Sequence, residues 1–110
     1  MEELELATTV LKKSSKSPLF WQSRYFLTKL NRLQYWTDKA SHERDPHTPS
    51  SEFDVCDFKV VDYKVGRLLD LLFSESKHGL HLQFQTETEA REWYELLLAK
   101  RSLYLSLIHI

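Results

Sequence analysis

The spacing of apolar residues changes once along this chain, near Thr86. Before that point the apolar residues come in short runs, several of which alternate with polar residues as half-buried strands do. After it, Ala90, Trp93 and Leu97 recur at the spacing of one helical face. Thr86 and Glu89 match a capping box at the start of this helix. The chain is therefore predicted to fold as a series of short strands followed by one amphipathic helix.

Seven segments have the composition and length of strands. Asn31, which tolerates positive φ, fits a tight turn over residues 29–32, and the polar residues 40–52 are expected to form a loop. An antiparallel sandwich or barrel, with the helix over one open end, is the economical way to bury the apolar faces of so many short strands. The predicted strands are 5–13, 21–27, 33–38, 53–56, 59–63, 67–74 and 80–85.

Positive charge is concentrated in one part of the sequence. Residues 11–39 contain seven lysine and arginine residues and one acid, whereas residues 1–10 contain three acids and no base. Residues 40–110 contain twelve acids and eight bases. The net charge of −1 excludes a uniformly basic domain, so no nucleic-acid partner is expected. The local excess of bases predicts either an anionic partner or a solvated, lysine-rich surface.

The sequence lacks the usual marks of catalysis, metal binding and secretion. Its length fits one domain. The five histidines share no ligand spacing and the two glycines are isolated, so neither a metal nor a cofactor is expected. No apolar run is long enough to span a bilayer, and the acidic N-terminus is unlike a secretory signal. Cys56, assigned to a strand as a small buried residue, is the single cysteine and favours a reducing, intracellular setting.

The ordered set of motifs over residues 4–101 resembles a pleckstrin homology (PH) domain. The helical Trp93 occupies the position of the family's most constant residue. The resemblance implies a mostly β fold: a seven-stranded antiparallel split barrel of two near-orthogonal sheets, capped by one C-terminal helix. Residues 17–24 and 53–55 also resemble, more narrowly, the PH domains of Tec-type kinases and Ras GTPase activators. The matching motifs are Val10-x-Lys12, Trp21-x-x-Arg24-Tyr25-Phe26-Leu27, Leu33-x-Tyr35-Trp36, Phe53-Asp54-Val55, Leu82-x-Phe84 and Thr86-x-x-Glu89.

The resemblance implies a non-enzymatic binding module, because many members of the family bind phosphoinositide head groups through bases at the open end of the first two strands. Arginine forks and lysine point charges suit inositol phosphates. Gln22 departs from the family pattern, in which a base stands two positions before Arg24, so it contributes hydrogen bonds without charge. The implied site consists of Lys12, Lys13, Lys16, Gln22, Arg24 and Tyr35, with Lys77 and His78 as rim residues.

Two functions remain open at this point. The first is reversible recruitment of a cytoplasmic protein to membranes, in signalling or trafficking, through phosphoinositide or another anionic lipid. The second is a protein-interaction adaptor with little or no lipid binding, which Gln22 and the long segment 40–52 favour. Leu19 and Phe20 fit either packing within the hairpin or insertion into a bilayer interface, and hairpin packing is favoured.

Several residues also have purely structural interpretations. Arg24 fits a rim residue paired with an acid from a loop, and Trp36 and Trp93 fit packing positions. Residues 102–110 are too apolar for a free chain end. They would extend the helix, add an edge strand, or mark a fragment of a longer multidomain protein, and the last interpretation is favoured.

Overall fold

The computed structural model describes residues 3–14, 16–17, 19–63, 66–73 and 79–108. The strands are β1 (Ala7–Lys13), β2 (Trp21–Lys29), β3 (Arg32–Trp36), β4 (Ser51–Asp54), β5 (Val60–Tyr63), β6 (Leu68–Leu72) and β7 (Gly79–Gln83). The helices are α1 (Lys39–Arg44) and α2 (Glu87–Ile108), and a 3-10 turn (Val55–Asp57) follows β4. No helix within the described ranges is both long and apolar enough to cross a membrane.

The strands form an antiparallel sheet with the order β4-β3-β2-β1-β7-β6-β5. The pairing between β1 and β7 is short, with Leu11 opposite Gln83 and Lys12 opposite Leu82. This pairing joins the half made of β1 to β4 to the half made of β5 to β7. The predicted mostly β fold with a C-terminal helix is confirmed, and the two expected sheets are joined into one through β1.

Alternate strand residues supply the core, and α2 packs against it. Leu80 and Leu82 of β7 are buried, as is Phe84 just beyond the strand, while the residues between them are partly exposed. The ring of Phe84 lies 5.7 Å from that of Trp93 on α2, measured between centroids. Trp93 and Leu97 are both fully buried. The predicted alternation and the predicted helical face are therefore confirmed.

The polar segment between β3 and β4 is not the loop that its composition predicts, because it contains α1. Asp38 caps this helix by accepting a hydrogen bond from the Ser41 N–H at 2.7 Å, and this bond lowers the pKa of Asp38. The helix packs on β2 and β3, where Trp36 donates from Nε1 to the Asp45 carbonyl oxygen at 3.0 Å. The His42 ring lies 4.6 Å from the Trp36 ring. The loop prediction was wrong for residues 40–44, which cover a buried tryptophan on the outer face of the sheet, whereas residues 45–50 form neither helix nor strand.

The turn predicted over residues 29–32 is present, but its left-handed residue is Leu30 (φ 54°), not Asn31. Such a conformation costs roughly 1–2 kcal/mol for a residue with a Cβ. Two tertiary hydrogen bonds hold it here: the Leu30 N–H donates to Glu5 Oε2 at 2.6 Å, and the Leu30 carbonyl accepts from Lys100 Nζ at 2.7 Å. Contacts from distant residues, rather than local preference, therefore set the geometry of this turn.

Cys56 lies in the 3-10 turn and not on a strand, so its strand assignment was wrong. Asp54 ends β4 because its carboxylate accepts a hydrogen bond from the Cys56 N–H at 2.9 Å, which starts the turn. The cysteine is half-buried. Burial, followed by the nearby charge of Asp54, raises the pKa of the Cys56 thiol. The thiol therefore stays protonated at neutral pH and is not an activated nucleophile.

The start of α2 matches half of the predicted capping box. Thr86 Oγ1 accepts a hydrogen bond from the Glu89 N–H at 3.1 Å. The Glu89 carboxylate does not return this bond but accepts one from Thr8 Oγ1 at 3.0 Å, which ties α2 to β1. At its other end α2 continues through residues 102–108, so this apolar stretch extends the helix, and the last two residues lie outside the described ranges.

Candidate anion-binding site

The register of the first hairpin places three of the predicted site residues, Lys12, Gln22 and Arg24, on the core face of the sheet, beyond the last buried layer. Lys12 lies opposite Gln22, and Val10 lies opposite Arg24. Directly opposed residues share a face, and alternate residues along a strand return to it. Because Val10 and Phe26 are buried, Lys12, Gln22 and Arg24 point to the same side, where the hairpin leaves the core.

Tyr35 joins this group from β3. It lies opposite Phe26, and its ring lies 4.9 Å from the Phe26 ring. Lys12 Nζ sits 5.8 Å from the centroid of the Tyr35 ring, within the range of a cation–π contact. We call the four residues Lys12, Gln22, Arg24 and Tyr35 the mouth. Three neighbouring strands thus hold two cations, one amide and one phenol at the open end of the barrel.

The two cations of the mouth have no carboxylate partner among the described residues. Lys12 Nζ donates to the Lys13 carbonyl oxygen at 3.4 Å, and Arg24 Nη1 donates to the Ser23 carbonyl oxygen at 2.7 Å. Both contacts are to adjacent backbone groups, and both side chains are half-buried. The alternative interpretation of Arg24, a rim residue paired with a loop acid, is not observed in the described part of the chain. The mouth is therefore a positively charged surface with free donors.

Lys13 and Lys16 lie beside the mouth rather than in it. Lys13 pairs with Trp21, so it points to the outer face of the hairpin. Lys16 is exposed in the β1–β2 loop, whose backbone turns around the Ser14 hydroxyl, the acceptor for the Lys16 N–H at 3.2 Å. The loop is closed by the Ser14 N–H, which donates to the Phe20 carbonyl at 2.9 Å. These two lysines add positive charge around the mouth but do not converge with Arg24.

The end of the β1–β2 loop is apolar and points into solvent. Leu19 is 89% exposed and Phe20 66% exposed. The following residue, Trp21, is 37% exposed on the outer face. Packing within the hairpin was the favoured prediction for Leu19 and Phe20, and the exposures show that it was wrong. We call Leu19, Phe20 and Trp21 the apolar tip, which adjoins the basic loop.

The basic segment of the sequence is divided in space between the two ends of the first hairpins. Lys29 and Arg32 lie opposite each other at the far end of β2, where Lys29 is five residues, or about 17 Å by the rise of a strand, from Arg24. Arg32 also lies 3.6 Å from the Glu52 carboxylate. Only part of the predicted positive patch is thus available near Lys12 and Arg24. The predicted rim residues Lys77 and His78 lie outside the described residues.

A second charged cluster, which the sequence analysis missed, lies at the beginning of β1. Lys100 of α2 is 2% exposed, and its Nζ contacts Glu3 Oε1 at 2.6 Å, Glu5 Oε1 at 2.7 Å and the Leu30 carbonyl oxygen at 2.7 Å. Tyr104 donates to Glu3 Oε2 at 2.6 Å. We call this arrangement the Lys100 clamp. Nothing in the local sequence signals it, because its members come from opposite ends of the chain.

Electrostatics within the clamp favour the ionised Glu3. The hydrogen bonds from Lys100 and then Tyr104 lower the pKa of Glu3. The same carboxylate raises the pKa of Tyr104 to about 12, with burial as a secondary cause. Every carboxylate oxygen of Glu3 and Glu5 accepts a hydrogen bond within the chain, so the clamp offers no free acceptor to a ligand. No group of three or more metal-ligating side chains occurs within the residues that the structure describes.

Comparison with solved structures identifies the architecture. The PH domain of human oxysterol binding protein-related protein 11 aligns with a TM-score of 0.80 and 14% identity, over 97% of this chain and 88% of that one. The PH domain of human TBC1 domain family member 2 aligns with a TM-score of 0.72 and 20% identity, over 96% and 87% of the two chains.

A third structure carries a ligand. The C-terminal PH domain of pleckstrin, in complex with D-myo-Ins(1,2,3,4,5)P5, aligns with a TM-score of 0.67 and 19% identity, over 86% of this chain and 95% of that one. No protein-family model and no curated protein matches the sequence. The protein therefore has the PH-domain fold, and the predicted resemblance is confirmed at the level of fold. The narrower resemblance to Tec-type kinases and Ras GTPase activators stays a prediction.

Proposed function

We propose that this protein is a binding module, without catalytic activity, that attaches reversibly to membranes by binding phosphoinositide or other anionic phospholipid head groups at the mouth. One observation carries the proposal: Lys12 and Arg24 converge on one face without a carboxylate partner in the described residues. Half-buried cations that lack a counter-charge gain more from an anionic ligand than solvated ones do. A phosphate group supplies both the charge and the acceptors that these donors lack.

Each residue of the mouth has a distinct task in this proposal. Arg24 offers a planar fork that two phosphate oxygens can occupy, and Lys12 offers a mobile point charge. The Gln22 amide and the Tyr35 hydroxyl donate single hydrogen bonds. Because Gln22 carries no charge, the affinity is lower than that of a site with a third base. A charge near an anionic membrane surface contributes about 1 kcal/mol, which is a factor of about 5 in affinity.

The apolar tip suits the same orientation on a membrane. The exposed side chains Leu19 and Phe20 adjoin Lys16 in the loop that flanks the mouth. Side chains of this kind enter the interface between head groups and acyl chains, where their burial adds to the electrostatic attraction. We expect head-group binding at the mouth and shallow insertion of the tip to reinforce each other.

One structural neighbour supports the choice of ligand. The C-terminal PH domain of pleckstrin binds an inositol pentakisphosphate in its solved complex. The adaptor alternative loses part of its support, because residues 40–44 of the segment 40–52 belong to α1 and Asp45 is tied to Trp36, which leaves a shorter free loop.

Vesicle sedimentation tests the proposal. Phosphatidylcholine vesicles with and without a small fraction of a phosphoinositide are mixed with the protein at low and raised salt. We expect binding that requires the phosphoinositide and weakens as salt increases. The double variant Lys12→Ala/Arg24→Ala should bind about 30-fold more weakly, which corresponds to about 1 kcal/mol for each lost charge.

The matched control is Lys29→Ala/Arg32→Ala. It removes the same charge from β2 and β3, at the end of these strands away from Lys12 and Arg24. We expect it to bind within about a factor of 2 of the unchanged protein, because exposed charges beyond a Debye length are screened. Equal losses in both double variants would mean that net charge, not the mouth, governs binding. No binding to either vesicle would favour the adaptor function.

A further inference from the structure

An apolar groove with an acidic rim lies before the start of β1, whereas Lys12 of the mouth lies near the other end of this strand. It runs between the extended residues 3–6 and one face of α2, and it encloses about 550 Å³. This volume falls within the range of ligand and peptide pockets. Its floor is formed by the aliphatic side chains of Leu4, Leu6, Leu96, Ala99 and Leu103.

The floor exposes more contiguous apolar surface than is usual for a monomeric protein. Leu4 is 65% exposed and Leu103 46% exposed, and both line the groove. Leu96, Ala99 and Leu103 follow each other on one stripe of the helix, and Leu107, 52% exposed, continues it. A contiguous exposed apolar stripe of this kind marks an interaction site more often than scattered single residues do.

The rim of the groove carries uncompensated negative charge. Glu92 and Glu95 line it, are exposed, and make no ion pair or side-chain hydrogen bond within the described residues. Lys100, the one base in the lining, does not offset them, because the Lys100 clamp buries its ammonium group against Glu3 and Glu5. The groove therefore presents aliphatic surface flanked by carboxylates.

This chemistry selects the occupant. A fatty acid or an anionic lipid would bring its own negative charge to the rim and be repelled. The residues that line the groove on α2 extend from Glu92 to Leu103, which spans three helical turns or about 16 Å. An amphipathic helix with aliphatic anchors at i, i+4 and i+7 and with lysine or arginine on its flanks fits both the shape and the charge.

We propose that the groove binds a basic amphipathic helix of a partner protein. The Lys100 clamp fixes the N-terminal wall of the groove through Glu3 and Glu5, so the site is formed before the partner arrives. The groove begins beside Leu6, before β1, and Lys12 lies about 20 Å further along this strand. A membrane at the mouth and a helix in the groove would therefore not compete for space.

A synthetic peptide tests the proposal. The probe is a fluorescently labelled helical peptide with leucines at i, i+4, i+7 and i+11 and lysines on both flanks. Its controls are a scrambled peptide of the same composition and a version with glutamate in place of lysine. Fluorescence anisotropy with the full chain should show saturable binding of the probe and at least about tenfold weaker binding of both controls, since each lacks one of the two complementary features.

Two variants locate the binding. Leu103→Asp places a charge on the floor, and Glu92→Lys/Glu95→Lys reverses the rim without changing buried residues. Both variants should bind the labelled peptide at least about tenfold more weakly. The matched control Glu43→Lys/Asp57→Lys makes the same change of charge at exposed positions outside the groove and should leave the probe affinity within about a factor of 2. Circular dichroism melts confirm that each variant is folded.

Several results would overturn this proposal. Absence of saturable binding would do so, as would equal affinity for the scrambled peptide or full affinity in both groove variants. Sedimentation equilibrium provides a separate check: a dimer that Leu103→Asp dissociates would show that a second copy of the chain occupies the groove. Binding of phosphoinositide vesicles should be unchanged in the groove variants, so the failure of one proposal is distinguishable from the failure of the other.

Discussion

The cations at the two ends of β1 have opposite environments. At the mouth, Lys12 and Arg24 are half-buried, and within the described residues their charged groups hydrogen-bond only to backbone carbonyls. At the Lys100 clamp, the ammonium group is almost fully buried and contacts three oxygens, two of them from carboxylates. The clamp cation has its partners within the chain, whereas the mouth cations do not.

This contrast distinguishes structural from ligand-binding charge in one small domain. A buried cation must be paired, because burial without a partner costs several kcal/mol. The partners of Lys100 come from the N-terminal segment and the β2–β3 turn, so the pairing also holds those segments on α2. The mouth residues retain contact with water, which makes the unpaired state tolerable and leaves their donors available.

Removal of the clamp cation should have the largest effect. Lys100→Met leaves Glu3 and Glu5 without their partner, and we expect a loss of about 3 kcal/mol in the free energy of unfolding. The melting temperature should fall by about 15 °C. The matched control Lys59→Met, at an exposed position, should change the free energy by less than about 0.5 kcal/mol. Urea denaturation measures both, and similar losses would remove the distinction between the clamp and the surface.

The second-largest effect is expected from the apolar tip, on binding to membranes. Leu19→Ser/Phe20→Ser should weaken binding to phosphoinositide vesicles by about tenfold, because partial burial of two large apolar side chains adds about 1–2 kcal/mol. The affinity of this double variant for a soluble inositol polyphosphate should stay unchanged, because without a bilayer the tip has nothing to insert into. Isothermal titration with the soluble ligand and vesicle sedimentation separate the two. A parallel loss in both assays would place the tip within the head-group site itself.

A third base should raise the affinity of the mouth for anionic head groups. Gln22→Lys adds a cation opposite Lys12, where the family pattern carries one, and should raise the affinity for phosphoinositide vesicles about fivefold. The same change at Ser23→Lys, on the outer face opposite Leu11, serves as the control and should have a smaller effect. Equal gains at both positions would indicate attraction by total charge instead of recognition at the core face.

The smallest expected effect is on the pH dependence of stability. The pKa of Tyr104 is raised from 10.0 to about 12 in the folded protein. The contribution of Tyr104 to folding stability is therefore complete below pH 10 and is lost as the pH rises towards 12. The pKa of Glu3 is lowered, so its contribution is complete above pH 4.5 and is lost as the pH falls below that value.

Two tyrosine variants separate this effect from general alkaline unfolding. Tyr104→Phe should abolish the part of the fall in unfolding free energy at alkaline pH that is due to the clamp. Tyr94→Phe should retain this fall, because the Tyr94 hydroxyl makes no hydrogen bond in the described residues. Denaturation curves measured from neutral to alkaline pH supply the comparison. Identical pH profiles for the two variants would contradict the assignment of the raised pKa to the Glu3 contact.

Local pattern predicted the elements of this fold that depend on neighbours in sequence. The alternation of β7, the helical face with Ala90, Trp93 and Leu97, and the cap at Thr86 all appear in the structure. The mouth residues were predicted from a resemblance, and strand register then placed Lys12, Gln22, Arg24 and Tyr35 on one face. The alternation of apolar and polar residues sets the register of paired strands. This explains why the positions of these residues could be predicted from the sequence.

Long-range contacts account for what the sequence did not predict. The segment with α1 folds because Trp36 and Asp45 meet across nine positions, and Leu30 adopts positive φ because Glu5 and Lys100 hold it. The Lys100 clamp joins residues 97 positions apart. Exposure of Phe20 likewise depends on how the loop leaves the sheet. No local composition signal specifies any of these contacts.

The location of the anion site tests the central claim most directly. An NMR titration of the 15N-labelled protein with a soluble inositol polyphosphate reports which amides and side chains respond. We predict saturable shift changes confined to Lys12, Gln22, Arg24, Tyr35 and the adjoining β1–β2 loop. Shift changes centred on Lys29 and Arg32, or the absence of saturable changes, would contradict the assignment of the mouth as the ligand site.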